Sequence, residues 1–353
     1  MDPMLLLLLA MACAAPSARG HLQSADSETF DVVLVGAGTA GCMLAHRLSE
    51  VTTWRVLLLE AGSNSTGEGW PFMAEPEAGI CDGQGCSEYS SKGLGYTVGS
   101  TYTRGNPRDY DNWAAAGATG WAYRDVLPYF KKWENNSELG EPYHGTKGPV
   151  SMGTEPTQPD IRVILDALKD AGIQERDVNG AQQTESVMVK QVWSINRRPK
   201  SMKELLIDPI VDKRSNLVVR TNAQATRVLF EGKVAVGVVY RTAEGKDVEV
   251  RARREVVLSA GNYNTAKLLL LSGVGPKEEV AKLGLPLVAD VPVGQRMQQH
   301  FKTARSVMFT LPRPVNNTTS TCSGPSPSRP STSSAATART RGPTSTTASR
   351  VWV

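Results

Sequence analysis

The chain has 353 residues, 39 Lys and Arg against 35 Asp and Glu, a formal charge of +4 and five cysteines. Forty per cent hydrophobic and 21% charged residues is ordinary globular composition; it excludes wholesale disorder, collagen and multi-span membrane proteins, and five cysteines are too few for a disulfide-built miniprotein. The positive charge is local: eight Lys and Arg but no acidic residue follow Asp290, so the chain up to that point holds 31 basic groups against 35 acidic, or −4.

Residues 1–20 read as a secretory signal peptide. The apolar run of residues 5–12 is too short to span a bilayer, and the small residues Ala14, Ala15, Ser17 and Ala18 supply a cleavage region. The expected location is extracellular, with no membrane span. Sequons including Asn64-Ser65-Thr66, Asn135-Asn136-Ser137 and Asn316-Asn317-Thr318 agree with export. In an oxidising compartment Cys81 and Cys86, flanking Asp-Gly-Gln-Gly, have the spacing of a small disulfide loop. Cys42, among Ala40, Leu44 and Ala45, reads as a buried thiol. No His or acidic residue stands at ligand spacing beside these cysteines, so no metal site is expected.

A strand is predicted at 31–35, a helix at 39–49 and a second strand at 55–59. Between the first two lies Gly36-Ala37-Gly38-Thr39-Ala40-Gly41. An apolar strand entering a GxGxxG that opens a helix is the context a dinucleotide site requires. Gly36 permits the tight turn, Ala37 and Thr39 complete the loop, Gly38 lets backbone approach a pyrophosphate, and Gly41 lets helix and strand pack closely. The second strand ends in Glu60, whose carboxylate suits adenosine ribose hydroxyls. The motif alone leaves NAD and FAD open. The long Gly-rich excursion after Gly62 favours FAD, because flavoproteins commonly split the nucleotide fold by such insertions.

Further on, helices are predicted at 123–134 and 160–171. Strands are expected at 217–220, 226–230, 234–240, 247–252 and 255–259, and a helix at 265–271. The aromatic residues of 110–133 read as packing between a cap and the nucleotide domain in preference to a sugar-stacking face. The basic runs 197–200 and 251–254 have no interleaved aromatics and read as solvated faces, so no nucleic-acid partner is expected. Residues 315–353 contain 18 Ser or Thr in 39 positions and cannot bury enough surface to offset their ordering entropy, so this tail is expected to be disordered.

The chain resembles the glucose–methanol–choline oxidoreductases, particularly their insect glucose dehydrogenase branch. The resemblance rests on 36–41 with Glu60-Ala61-Gly62, on Arg104-Gly105-Asn106-Pro107-Arg108-Asp109-Tyr110-Asp111-Asn112-Trp113, and on 120–132. Tyr143-His144-Gly145-Thr146, 226–229, Leu258-Ser259-Ala260-Gly261 and 268–276 add to it. It implies an α/β fold: an FAD-binding Rossmann-like domain (28–110 and 215–300) with a partial α+β substrate-cap domain (111–214 and 301–314). It also implies bound FAD, a backbone contact to adenine at Val228, a cofactor role for Gly261, and oxidation of a small-molecule alcohol or sugar by hydride transfer to flavin N5. Oxygen and a quinone both remain open as electron acceptor.

The chain also departs from that pattern. A Gly-Gly-Ser-Ser block expected before Arg104 is replaced by 93–100, and the resemblance ends near Val315, before the block that carries the family's catalytic histidine. Of the four histidines, His21 borders the signal, His46 sits in the first helix, His144 belongs to a structural loop and His300 matches a block near the flavin. No catalytic residue is therefore assigned, and the chain as written is expected to be inactive, either as an incomplete enzyme or as an inert FAD-binding remnant.

Overall fold

The structure is a computed structural model; it describes residues 28–64, 68–70, 91–92, 101–156, 159–196 and 198–296. The expected signal peptide, the Cys81–Cys86 pair, His21, His300 and the tail lie outside these residues. Among the described residues the chain divides into two compact units, one from residues before Tyr96 together with Ile207–Arg296, the other within Thr97–Leu206.

The first unit opens with strand β1 (Glu28–Val35), whose last six residues are all buried. A strand that is apolar on both faces belongs between parallel neighbours. One neighbour is β2 (Val56–Leu59), paired in parallel from Val32↔Val56 to Val35↔Leu59. The two are joined by helix α1 (Thr39–Leu48), which buries Gly41, Cys42 and Ala45. Small residues here bring helix and sheet close. Cys42 is the buried thiol expected from its neighbours, its Sγ 3.1 Å from the Ala37 carbonyl oxygen.

The second unit begins with helix α2 (Pro107–Ala115), started by Pro107 and a capping box between Asn106 and Asp109. Helix α3 (Tyr123–Trp133) follows. Tyr110 joins the two, 5.8 Å from the Phe130 ring and 5.1 Å from that of Trp113. The aromatics of 110–133 thus pack on one another, although Trp113 and Trp121 stay half exposed. Strands β3 (Glu134–Asn136), β4 (Val150–Thr154) and, after helix α4 (Pro159–Asp170), β5 (Gln191–Ile195) form a sheet with the short Arg198–Pro199 at its edge.

Back in the first unit, β6 (Leu217–Arg220) pairs in parallel with β2, and β7 (Gln224–Glu231), β8 (Val234–Arg241) and β9 (Asp247–Leu258) run as an antiparallel meander. β9 also pairs in parallel with β1, giving a six-stranded sheet in the order β6-β2-β1-β9-β8-β7. Where two strands were predicted at 247–252 and 255–259, one strand runs through. The break in pattern is a shift of register: Phe30 faces Ala252 but Val32 faces Glu255, so Arg253 and Arg254 together oppose Asp31. The Asp31 carboxylate meets both guanidinium groups, at 3.4 and 3.5 Å, and accepts the Arg55 N–H at 2.9 Å. Those partners hold it below the usual carboxylate range. The meander and parallel strands share one core, with Phe30, Val33, Leu57, Val228, Val238 and Val250 all buried. Helix α5 (Asn262–Leu271) follows β9. No helix among the described residues is long and apolar enough to cross a membrane.

Candidate functional site

Three parallel strands, β2, β1 and β9, end side by side at Leu59, Val35 and Leu258. A crevice outside the carboxyl ends of parallel strands is where this kind of sheet binds ligands. There the first unit has a cavity of about 960 Å³, lined among others by Gly36, Gly38, Thr39, Glu60 and Gly261. Five of the eight residues expected at the cofactor site are therefore on one wall.

The glycines divide by role. Gly36 has φ +95°, and a Cβ there would lie 2.5 Å from the Ser259 carbonyl oxygen; it is required by the turn and by the close approach of β9. A Cβ on Gly41 would stand 1.8 Å from the Gly36 carbonyl oxygen, so Gly41 serves helix packing from behind the cavity. Gly38 and Gly261 differ: a Cβ on either meets no protein atom within 4 Å. Gly261 still needs glycine for its φ of +81°, whereas neither packing nor backbone demands glycine at Gly38, which opens on the cavity.

Gly38 and Gly261 are also the N-caps of α1 and α5. Neither helix start has a side-chain cap or an acidic residue in its first turn. Two helix N-termini, each with backbone N–H groups preceding the first intrahelical bond, thus open on one cavity and favour an anionic group there.

Glu60 is buried, and its carboxylate accepts the Ala37 N–H at 2.9 Å and the Gly62 N–H at 2.8 Å. Those bonds tie one carboxylate oxygen to the turn after β1 and the other to the loop after β2. Ala37 itself stands behind the wall, its N–H committed to Glu60.

Val228 lies elsewhere. Its N–H donates to Ser272 Oγ at 2.9 Å, and the residue lines a separate cavity of about 300 Å³. On β7 the large cavity is instead lined by Gln224, Ala225 and Thr226, preceded by Ala223. The pairing with β8 shifts register between Ala225 and Arg227, so the ladder is interrupted where the strand meets the cavity. Arg241, opposite Gln224 and forked onto Asp247 at 2.9 and 3.2 Å, also lines it. Sequence reasoning missed these residues. Their nearest signal is the pair of alanines, Ala223 and Ala225, at the head of the strand.

The residues fit a dinucleotide such as FAD: an open glycine cradle, two uncapped helix starts for a diphosphate, and a buried carboxylate among them. Neither described histidine joins them. His46 sits near the end of α1, 3.7 Å from Glu50.

His144 belongs to a buried cluster in the second unit. Its Nδ1 is 2.6 Å from Glu134 Oε1 and its Nε2 2.6 Å from Asp177 Oδ2, while the other Glu134 oxygen is paired with Arg104. Arg104 donates to the Tyr102 hydroxyl at 2.6 Å. Burial disfavours charge on His144, but the hydrogen bonds to Asp177 and Glu134 outweigh it and its pKa is pushed up to about 9. Burial likewise opposes ionisation of Glu134 and Asp177, yet the bonds from His144 hold both below the usual carboxylate range. Every member is partnered, as a structural cluster must be.

Comparison with known proteins agrees with this geometry. Residues 30–302 match the GMC oxidoreductase family. The chain is 36% identical over 316 residues to the glucose dehydrogenase [FAD, quinone] of Drosophila melanogaster, covering 82% of this chain and 50% of that protein. It is equally identical to an oxygen-dependent choline dehydrogenase of Pseudomonas entomophila over 81% of this chain and 55% of that one. Among solved structures, an FAD-dependent oxidoreductase from Chaetomium thermophilum superimposes with a TM-score of 0.69 at 26% identity, covering 74% of this chain and 51% of that one. Pyridoxine 4-oxidase from Mesorbium loti does so with 0.63 at 26%, covering 74% and 55%. The chain spans about half the length of the curated relatives it matches. With this nucleotide fold and this match, the chain belongs to the GMC oxidoreductase family of FAD-dependent enzymes.

Proposed function

We propose that the chain serves an exported, FAD-dependent oxidation of a CH–OH group in a small alcohol or sugar. The observation that carries this reading is the convergence of Gly38, Glu60 and Gly261 on one cavity at the ends of the parallel strands. The N-termini of α1 and α5 would hold the pyrophosphate, Glu60 the adenosine ribose, and the start of β7 at Ala225 and Thr226, in place of Val228, the adenine. When bound, FAD supplies an acceptor at N5 for the hydride leaving the hydroxyl-bearing carbon. The substrate class follows the relatives named for glucose and for choline. Export is supported by the apolar run of residues 5–12 and the small residues after it.

Oxidation also needs a group to take the hydroxyl proton. His46 and His144 are outside the cavity lining, and His144 is saturated by two carboxylates. With no histidine among the described residues lining this cavity, the reading includes that this chain alone takes up FAD but oxidises alcohols weakly or not at all. The test is reconstitution of the purified chain with FAD, followed by a panel of sugars and alcohols with oxygen, a quinone and an artificial dye as acceptors. A flavin absorbance band with negligible turnover is expected. No flavin uptake contradicts the cofactor assignment, and robust turnover contradicts the assignment of inactivity.

A further inference from the structure

Asn135 and Asn136 are neighbours in β3, and a strand sends adjacent side chains to opposite faces. Asn136 is buried and its amide is used at both ends. Nδ2 donates to Glu134 Oε1 at 3.0 Å and meets His144 Nδ1 at 3.3 Å, while Oδ1 accepts the N–H groups of Glu138 and Leu139. Asn135 is exposed, and among the described residues its side-chain amide has no hydrogen-bond partner. The triplet Asn135-Asn136-Ser137 is followed by Glu138, so no proline interrupts or adjoins it.

We propose that Asn135 is an N-glycan acceptor. The proposal rests on the exported reading above, because the modifying machinery lies in the secretory compartment. In the reaction the Asn135 Nδ2 forms a bond to the anomeric carbon of an oligosaccharide carried on a lipid diphosphate. The anomeric C–O bond breaks, the lipid diphosphate leaves with its electron pair, and one amide proton is released; nothing is oxidised or reduced. The fold tolerates this at Asn135 and not next door. β3 pairs with β4 through its backbone, so the outward amide is free to carry a bulky, polar group. The same group on Asn136 would remove a donor from the Glu134–His144 cluster. Among the sequons, this is the one whose whole triplet is described; the hydroxyl residues of the Asn64 sequon and all of the overlapping sequons at Asn316 and Asn317 lie outside the described residues.

The full chain is to be expressed in a eukaryotic secretory host in two forms, one with its own first residues and one behind the signal sequence of an established secreted protein. Luminal and secreted material is treated with an amidase that converts glycan-bearing Asn to Asp, then mapped by mass spectrometry. Conversion at Asn135 is expected, together with loss of one glycan's gel shift in Asn135→Gln and in Ser137→Ala. Unconverted Asn135 in material carrying the added signal overturns the proposal. Conversion only behind the added signal supports the acceptor site and contradicts the export reading instead.

Discussion

Glu60 at the end of β2 accepts the N–H of Ala37, in the glycine turn after β1, at 2.9 Å. Through its other oxygen it also takes the Gly62 N–H at 2.8 Å. One carboxylate therefore ties together two loops of the cavity wall while presenting itself to the cavity.

Replacing it separates these tasks. Glu60→Ala leaves two buried N–H groups without their acceptor and is expected to cost about 1–3 kcal/mol of stability. Glu60→Gln keeps one acceptor oxygen, so it should cost less stability but still weaken FAD binding about tenfold or more, as for a lost hydrogen bond to a charged group. Denaturant titration and flavin fluorescence titration measure the two effects. Equal FAD affinity in Glu60→Gln and the parent would remove Glu60 from the cofactor site.

Ser272 is a test of what Val228 does. Its hydroxyl donates to the Leu268 carbonyl at 2.6 Å and accepts the Val228 N–H at 2.9 Å. Ser272→Ala strands a buried donor and should lower stability by about 1–3 kcal/mol. FAD affinity should be unchanged, because neither Ser272 nor Val228 lines the large cavity. A loss of affinity without a loss of stability would return Val228 to the adenine site.

The His144 cluster predicts a pH dependence. With its pKa pushed up to about 9 against about 6.5 unfolded, its contribution is complete below pH 6.5. That contribution is lost progressively as the pH rises through 9. Glu134 and Asp177, held low, contribute above their unfolded values and lose that contribution in acid. Breaking the buried set with His144→Gln should cost about 3–5 kcal/mol and abolish the alkaline slope. Melting temperature against pH, for both proteins, is the measurement. An unchanged alkaline slope in His144→Gln would assign it to another group.

Much of the first unit was legible because its signals are local. The strand at Leu217–Arg220 and the helix start at Thr39 follow from apolar runs and glycine placement within a few residues. The single strand Asp247–Leu258 was not legible. Its adjacent arginines look like a break until Asp31 is brought opposite them by the fold. Helix α2 was not among the predicted helices; none of its residues is buried, and the available signal, Asn106-Pro107 with Asp109 closing a capping box, was not read. The Glu134–His144–Asp177 cluster spans more than forty positions, and no spacing rule reaches that far. Val228 and Ala225 differ only by register on one strand, and register against β8 is settled by tertiary pairing and an interrupted ladder.

The central claim is that the cavity beside Gly38 holds the cofactor, and Gly38→Ala tests it most directly. Its added methyl meets no protein atom, whereas Gly41→Ala drives one into the Gly36 carbonyl oxygen at 1.8 Å and serves as the control for a packing defect. Melting temperature and FAD dissociation constant are to be measured for both variants and the parent. The expected result is that Gly38→Ala melts within a few degrees of the parent without FAD yet binds FAD far more weakly, while Gly41→Ala loses stability first. A folded Gly38→Ala that binds FAD as tightly as the parent would contradict the account.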